Sequence, residues 1–212
     1  MQLRFAVAAS LLTVFAANAN AQIEYPVNFR IGVQTAGTKR DVSVDNVVGQ
    51  RSSASVRGVE MFLAPAVGGV GIGGRLLDGN YAGEKYSLKE GRLFLGESWF
   101  RIEVAYGERS LQGSDSTYLF TKAGAGSVVQ IGGVGVTLSI RGSKYLKGNF
   151  TKNNSVTPDP DGWEGETDIF YTAPRLPIFV QLGYRSEYFK VGVKAEHMSG
   201  VIFGTGLWLG GR

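Results

Sequence analysis

Residues 99 to 107 read Trp-Phe-Arg-Ile-Glu-Val-Ala-Tyr-Gly, and from Phe100 large apolar side chains alternate with charged or small ones. A period of two residues is typical of a β-strand with two different faces. The alternation recurs in residues 27–33, 134–141, 178–185 and 189–196, always with Arg, Lys, Glu or Gly on the second face. A soluble sheet turns its apolar face to a core, whereas a membrane barrel turns that face to lipid and the charged face to its lumen. The direction of the apolar face therefore decides the class of protein.

The first 21 residues have the order of a secretory signal peptide. Arg4 precedes an apolar run over residues 5–15, and Ala19-Asn20-Ala21 supplies the small-x-small pattern of a cleavage site. The apolar run is about half of the roughly 20 residues that a membrane-spanning helix needs. We expect cleavage after Ala21, which predicts a signal peptide over residues 1–21 and one barrel domain over residues 22–212. The chain has no cysteine, so no disulfide framework is expected.

Composition favours an all-β protein. The chain has 31 Gly, 12 Phe, 9 Tyr and 3 Trp, residues that build curved sheets and aromatic girdles. Charged residues make up 19% of the chain, yet the mean hydropathy is close to zero, as expected when lipid-facing and water-facing residues are interleaved. The net charge of +4 is small and dispersed along the chain, so nucleic acid is not an expected partner.

The connections between the alternating runs differ in length. Short connections at residues 65–69, 96–98, 132–133 and 174–177 alternate with long polar ones at residues 38–53, 78–85, 110–116 and 143–166. This order places long and short loops at opposite ends of a barrel, as in bacterial outer-membrane barrels. We count 11 runs, but a single-chain bacterial barrel has an even number of strands. We therefore predict about ten strands, with eight or twelve as alternatives, and expect the miscount to lie after Thr167.

Together the signal peptide, the alternating strands and the unequal loops resemble the small outer-membrane β-barrel proteins of Gram-negative bacteria. The resemblance is one of pattern and includes no residue motif; the chain ends Trp208-Leu209-Gly210-Gly211-Arg212 where such proteins usually end on an aromatic residue. It implies an antiparallel up-and-down transmembrane β-barrel in the outer membrane. The implied partners are outer-membrane lipid, the assembly machinery and an extracellular ligand of the loops. We expect a monomer without a cofactor.

The barrel reading also predicts which side chains line the lumen. A barrel of eight to ten strands is nearly filled by its own side chains, so inward charges are expected to pair with one another. The alternative is a narrow path for small solutes, with the excess of basic groups favouring anions. The predicted lumen-lining residues are Arg30, Glu60, Arg101, Glu103, Arg141, Arg185, Lys190, Lys194 and Glu196. The predicted interfacial aromatic residues are Trp99, Tyr106, Tyr118, Tyr184 and Trp208.

One pair of residues has the chemistry of a catalytic site. His197, the only histidine, and Ser199 lie on one face of a strand, similar to the His-x-Ser pair of outer-membrane lipid A deacylases. Those enzymes need a downstream acidic residue to orient the histidine, and no Asp or Glu follows Ser199. Glu196 is adjacent but points to the opposite face. The sequence therefore predicts no catalytic site, and a lipid-modifying enzyme stays an alternative.

Residues 158–168 gather five carboxylates, which is a composition that suits calcium. Pro158 and Pro160 interrupt the spacing of a calcium-binding loop, and the late ligand is missing. We predict a solvated acidic loop without a metal ion. The function predicted from sequence is a structural or surface-interaction barrel. The alternatives are a narrow channel, the enzyme above, and a soluble periplasmic barrel that carries a hydrophobic ligand.

Overall fold

A computed structural model of the chain describes residues 27–65, 68–97, 99–110, 117–131, 135–146, 159–173 and 176–210. They form ten antiparallel strands that close into one barrel. The strands are β1 Val27–Val44, β2 Val47–Pro65, β3 Gly69–Tyr81, β4 Glu84–Gly96, β5 Phe100–Ser110, β6 Thr117–Ile131, β7 Val136–Tyr145, β8 Asp161–Thr172, β9 Ile178–Val191 and β10 Lys194–Leu209. The predicted signal peptide lies outside the described residues.

The barrel closes through the first and last strands. β1 pairs with β10 from Phe29 opposite Leu209 to Val44 opposite Lys194, and each other strand pairs with its neighbours in sequence. Because the barrel is closed, the backbone donors and acceptors of β1 and β10 pair with each other. In an open sheet those of the edge strands are left unpaired. The predicted fold class, an antiparallel up-and-down barrel of about ten strands, is confirmed.

The eleventh run in the sequence comes from a misreading of the last two strands. Residues 178–185, 188–197 and 201–209 form two strands, because β9 continues to Val191 and β10 begins at Lys194. The inward face of β9 changes from charged at Glu187 to apolar at Phe189, although both side chains are buried. That change of chemistry on one face looks like a new strand in the sequence.

Two of the predicted long loops are strands instead. Residues 38–53 belong to a long β1–β2 hairpin that turns at Asp45 and Asn46, whose φ angles of 50° and 65° suit the type I′ turn of tight hairpins. Residues 78–85 belong mostly to β3 and β4, which turn at Ala82 and Gly83. Polar residues there lie on strands that continue beyond the apolar band. Residues 111–116 and 147–158 of the other two loops lie outside the described residues.

The two ends of the barrel differ. We call the end that holds Val27 and Leu209 the lower end and the opposite end the upper end. At the upper end the β1–β2 hairpin extends beyond its neighbour, because β2 pairs with β3 only between Val56 and Leu63. From Val47 to Ser55, the strand pairing of β2 among the described residues is with β1. The hairpin therefore extends past β3, while on its other side β1 stays paired with β10 as far as Val44 and the Asp45 N–H donates to Val193 O.

The outer surface is apolar and the interior is charged. Large apolar side chains around the barrel are exposed, including Val33 at 58% and Phe203 at 57%, whereas Arg75, Arg109 and Glu196 are buried. This is the polarity of a transmembrane barrel, whose apolar face contacts lipid. A soluble barrel that carries a hydrophobic ligand needs the opposite polarity, because its interior must be apolar.

Candidate functional site

Three layers of side chains fill the lumen. A lower aromatic layer near the lower end is formed by Phe62, Phe94, Phe170, Phe179 and Trp208. A charged belt above it is formed by Glu60, Arg75, Glu90, Arg92, Glu103, Lys122, Arg141, Glu164, Glu166, Asp168 and Arg185. An upper aromatic layer towards the upper end is formed by Tyr81, Tyr86, Phe120, Tyr145 and Phe189 with Val56, Leu77, Leu88 and Met198. These layers are built from inward-facing residues of β2 to β10, and β1 adds Arg30 and Arg40 to the lumen.

Strand β8 supplies the acidic side of the charged belt. Glu164, Glu166 and Asp168 are two residues apart, so their side chains share the inward face. Glu166 lies opposite Arg141 on β7 and Arg185 on β9. Its carboxylate accepts a hydrogen bond of 2.6 Å from Arg141 Nη2 and a second from Arg185 Nε. Strand pairing alone therefore places two guanidinium groups on one carboxylate.

Arg75 connects the two sides of the belt across the lumen. Its side chain is fully buried, and Nη2 lies 2.5 Å from Glu164 Oε2 while Nη1 lies 3.4 Å from Glu166 Oε2. Nε of the same group lies 3.3 Å from Glu90 Oε1. Lys122 Nζ adds a contact of 2.6 Å to Glu164 Oε2 and another to Glu90. Buried charges need such mutual compensation, because each one has lost its hydration.

Most residues of the charged belt were not predicted from the sequence. The acidic face of β8 was assigned to a solvated loop, and that prediction is wrong because Glu164, Glu166 and Asp168 are buried in the lumen. The spacing of two residues between these carboxylates was the signal that could have identified a strand. Arg75 had no such signal, because Gly73 and Leu77 on the same face are not charged.

A second ion-pair group lies within the upper aromatic layer. Arg40 Nη2 is 2.5 Å from Glu196 Oε1, and Arg109 Nη2 is 3.1 Å from Glu196 Oε2. Arg109 Nη1 also lies 3.7 Å from Glu187 Oε1, and its guanidinium carbon is 4.2 Å from the ring centroid of Phe189. The Tyr145 hydroxyl donates to Glu187. Aromatic rings and paired charges together fill the lumen between the belt and the upper end.

The lower end, in contrast, contains a cavity. Its volume is about 60 Å³, and it is partly open to solvent. Arg30 and Arg101 line it near the lower end, and Arg30 Nη2 donates to Glu60 Oε1 at 3.2 Å. The guanidinium carbon of Arg101 lies 4.4 Å from the ring centroid of Phe62. The lower cavity is therefore lined by both guanidinium groups and aromatic rings.

The predicted lumen residues fall into three groups. Arg30, Glu60, Arg141, Arg185 and Glu196 make ion pairs inside the barrel, Arg101 and Glu103 line the lower cavity, and Lys194 is half-buried on the inward face of β10. Lys190 is an exception. It lies opposite Asp161 on the outward face of β9, which it shares with Tyr184 and Tyr188. The prediction failed because the apolar residues Phe189 and Val191 point inward near the upper end, where the lumen is aromatic.

The predicted interfacial aromatic residues also divide. Trp99, Tyr106 and Tyr184 are exposed on the outer surface. Tyr118 instead packs against the upper aromatic layer, and Trp208 is only 8% exposed, with Nε1 donating to Asn28 Oδ1 at 2.8 Å. Both corrections have one cause. Aromatic residues fill the lumen near each end, so an aromatic residue near a strand end is not diagnostic of the membrane interface.

His197 and Ser199 lie on the outward face of β10. His197 Nε2 is 3.0 Å from Ser186 Oγ on the adjacent strand, and its ring centroid is 6.2 Å from that of Trp163. Glu196 points into the lumen and pairs with Arg40, so it does not orient the imidazole. Within the described ranges, no three His, Cys, Asp or Glu side chains are grouped to hold a metal ion.

No protein-family model matches the chain, and no curated protein matches it. Among solved structures, the translocator domain of the autotransporter NalP from Neisseria meningitidis is similar at 11% identity, with 96% of this chain and 95% of that chain covered and a TM-score of 0.33. Ail, the attachment invasion locus protein of Yersinia pestis, is similar at 10% identity over 87% of this chain and 100% of that chain, with a TM-score of 0.32. OccK11 from Pseudomonas aeruginosa is similar at 13% identity over 90% and 73% of the two chains, with a TM-score of 0.34.

These identities and scores are low, so no residue role passes from those proteins to this chain. Across the described strands and turns, no helix is long and apolar enough to cross a membrane. The resemblance predicted from sequence holds for the architecture, a closed antiparallel barrel with an apolar exterior and a charged interior.

Proposed function

We propose that the protein is an outer-membrane β-barrel with a structural or surface-interaction role, whose lumen is closed by its own paired charges. A signal peptide over residues 1–21 exports the chain, the assembly machinery inserts it, and outer-membrane lipid surrounds it as a monomer. The observation that carries the proposal is the combination of an exposed apolar exterior with a buried charged belt. Only a medium such as lipid removes the cost of exposing that exterior to water.

The closed lumen is the reason to prefer this role over that of a channel. A solute that crosses the barrel must separate Arg75 from Glu164 and then Arg40 from Glu196, each about 2.5 Å apart in the interior. Breaking one buried pair costs about 3–5 kcal/mol, because it leaves uncompensated charges. Two such steps in series make spontaneous opening rare.

The β1–β2 hairpin is the best candidate for the surface role. Val44, Val47 and Val48 are exposed near its tip, where Val47 reaches 70% exposure. On the side of β2 the hairpin extends past β3, because β2 pairs with β1 along residues 47–55 and with β3 from Val56 onward. A strand that extends past its neighbour can accept an extended segment of another protein by strand addition. Such a partner would bind at the upper end, outside the cell.

The lipid-modifying alternative lacks its orienting acid. Asp41 lies opposite His197 on β1 but pairs with Arg51, and the described contact of His197 Nε2 is with Ser186 Oγ. An imidazole that no carboxylate orients is a weak general base for Ser199. We expect purified protein to release no fatty acid from outer-membrane lipid. Hydrolysis that is lost in Ser199→Ala and retained in Ser186→Ala would instead favour the enzyme.

The first experiment locates the protein and tests its fold. The full chain is expressed in a Gram-negative host, and the membrane fractions are separated and run on a gel with and without boiling. We expect the protein in the outer-membrane fraction and faster migration of unboiled samples. Recovery from the soluble periplasm without a mobility difference would contradict the proposal.

A second experiment tests the closed lumen. Purified protein is reconstituted into planar bilayers, and single-channel currents are recorded beside the variant Arg75→Ala and the exterior control Arg51→Ala. We expect no long-lived conducting state in the wild type or in the control, and brief openings in Arg75→Ala. A stable conducting state of the wild type would favour the channel alternative.

A further inference from the structure

We propose that the lower cavity is a binding site for a small oxyanion, a carboxylate or a phosphate group, recognised by Arg30 and Arg101 at its mouth. The inference goes beyond the proposed function and does not depend on it, because it concerns the geometry of the cavity alone. The cavity opens to solvent at the lower end and is bounded above by the charged belt. A ligand therefore enters from below and stops inside the barrel.

The order of charges along the strands favours anions. On β1, Arg30 is close to the lower end, and on β5, Arg101 is nearer that end than Glu103. On β2, Phe62 lies between the lower end and Glu60. The backbone positions of both arginines are thus closer to the lower end than those of Glu60 and Glu103. Such an arrangement concentrates anions at the mouth and repels cations.

Aromatic rings hold both guanidinium groups in place. The guanidinium carbon of Arg30 lies 4.3 Å from the ring centroid of Phe170 and 5.5 Å from that of Trp208. Arg101 lies over Phe62 in the same way. A guanidinium group held over a ring is less mobile, and its planar N–H groups match the two oxygens of a carboxylate or phosphate. The donors are therefore oriented before a ligand binds.

The carboxylate of Glu60 does not cancel this attraction, and Glu103 lies farther from the lower end than Arg101. Glu60 Oε1 lies 3.2 Å from Arg30, 3.8 Å from Arg141 and 4.0 Å from Arg92, so one negative charge is shared by three positive ones. Asn28 adds a neutral donor to the lining. Its Oδ1 accepts from Trp208 Nε1, which leaves the Nδ2 hydrogens for a ligand.

Trp208 lines the cavity and gives a direct readout of anion entry. The full chain carrying Trp99→Phe and Trp163→Phe has Trp208 as its single tryptophan. Its fluorescence is quenched in detergent micelles by iodide, by caesium and by neutral acrylamide at matched ionic strength. With each quencher scaled to its effect on free N-acetyltryptophanamide, we expect iodide to quench several-fold more than caesium. We also expect inorganic phosphate or acetate to protect Trp208 from iodide more than chloride does. Stronger protection by phosphate or by acetate identifies which oxyanion the site prefers.

Substitutions then test the two arginines. Arg101→Gln is expected to lower iodide quenching by roughly threefold, which is the effect of one charge at about 6 Å in a water-like medium, and to leave acrylamide quenching unchanged. Arg101→Lys retains the charge but not the planar fork, so it should retain iodide quenching and lose protection by phosphate or acetate. Lys89→Gln, on the outer surface, is the control.

The competition in the single-tryptophan chain needs no substitution at an arginine, so it tests the proposal even if Arg101→Gln fails to fold. Equal quenching by iodide and caesium, each scaled to its effect on free N-acetyltryptophanamide, would overturn it. So would protection by phosphate and acetate no greater than that by chloride, or an Arg101→Gln variant that folds and is quenched by iodide as before.

Discussion

Replacing Glu166 by Gln tests whether the charged belt holds the barrel together. The carboxylate contacts Arg141 Nη2 at 2.6 Å and Arg75 Nη1 at 3.4 Å, and it also accepts from Arg185. The amide has nearly the same shape, so packing is preserved while one negative charge is removed from among three guanidinium groups. Loss of one partner of a buried ion pair typically costs about 3–5 kcal/mol. We expect the free energy of unfolding to fall by that amount.

The assay is urea unfolding in detergent micelles, followed by tryptophan fluorescence and by gel mobility of unboiled samples. With a denaturant dependence of about 2 kcal/mol per molar, the midpoint should fall by roughly 1.5–2.5 M. The matched control is Glu108→Gln, because Glu108 pairs with Lys89 at 2.5 Å on the outer surface, where the side chains are 35% and 64% exposed. An exposed pair contributes only about 0.2–1 kcal/mol.

A double substitution separates charge from other effects of the change. Glu166→Gln combined with Arg185→Gln removes one positive charge as well, so part of the lost stability should return. If Glu166→Gln shifts the midpoint no more than Glu108→Gln does, or if the double variant is as unstable as the sum of both changes, the belt does not stabilise the barrel by mutual compensation.

Three further predictions follow from single contacts. Gly58→Ala should lower the free energy of unfolding by about 1–3 kcal/mol in the same urea assay, because the added Cβ would lie 2.0 Å from Leu76 O. The control Gly37→Ala should be neutral or stabilising, because its Cβ would have no atom within 4 Å. Trp208→Phe should cost about 1 kcal/mol through loss of the hydrogen bond to Asn28, and an equal cost for the exposed Trp99→Phe would refute this. Asn46→Val places a branched side chain at a φ of 65° and should accelerate amide exchange at the hairpin tip without moving the urea midpoint; unchanged exchange would contradict the assigned turn.

The strands and their two faces were predictable because they depend on local order. Alternation over residues 99–107 identified β5, and the same pattern gave an estimate of about ten strands that the structure confirms. The long loops were less predictable. Polar residues between 38 and 53 looked like a loop, but they lie on strands that extend beyond the apolar band, where an outward face is polar.

The ion-pair partners inside the lumen could not be predicted from local sequence patterns. Arg75 and Glu164 are 89 residues apart in sequence and meet only because the barrel closes and brings β3 opposite β8. Lys190 and Tyr118 were assigned to the wrong faces for a related reason. Near its upper end the lumen is aromatic instead of charged, and no local rule states where that change occurs.

The sequence by itself therefore determined the period of two residues, the all-β class and the contrast between an apolar and a charged face. Each of these follows from neighbouring residues on one strand. Only the tertiary structure decided that the charged face is enclosed, which arginine meets which carboxylate, and that a cavity with Arg30 and Arg101 at its mouth opens at the lower end. Those properties depend on closure and register, which relate residues from distant strands across a shared interior.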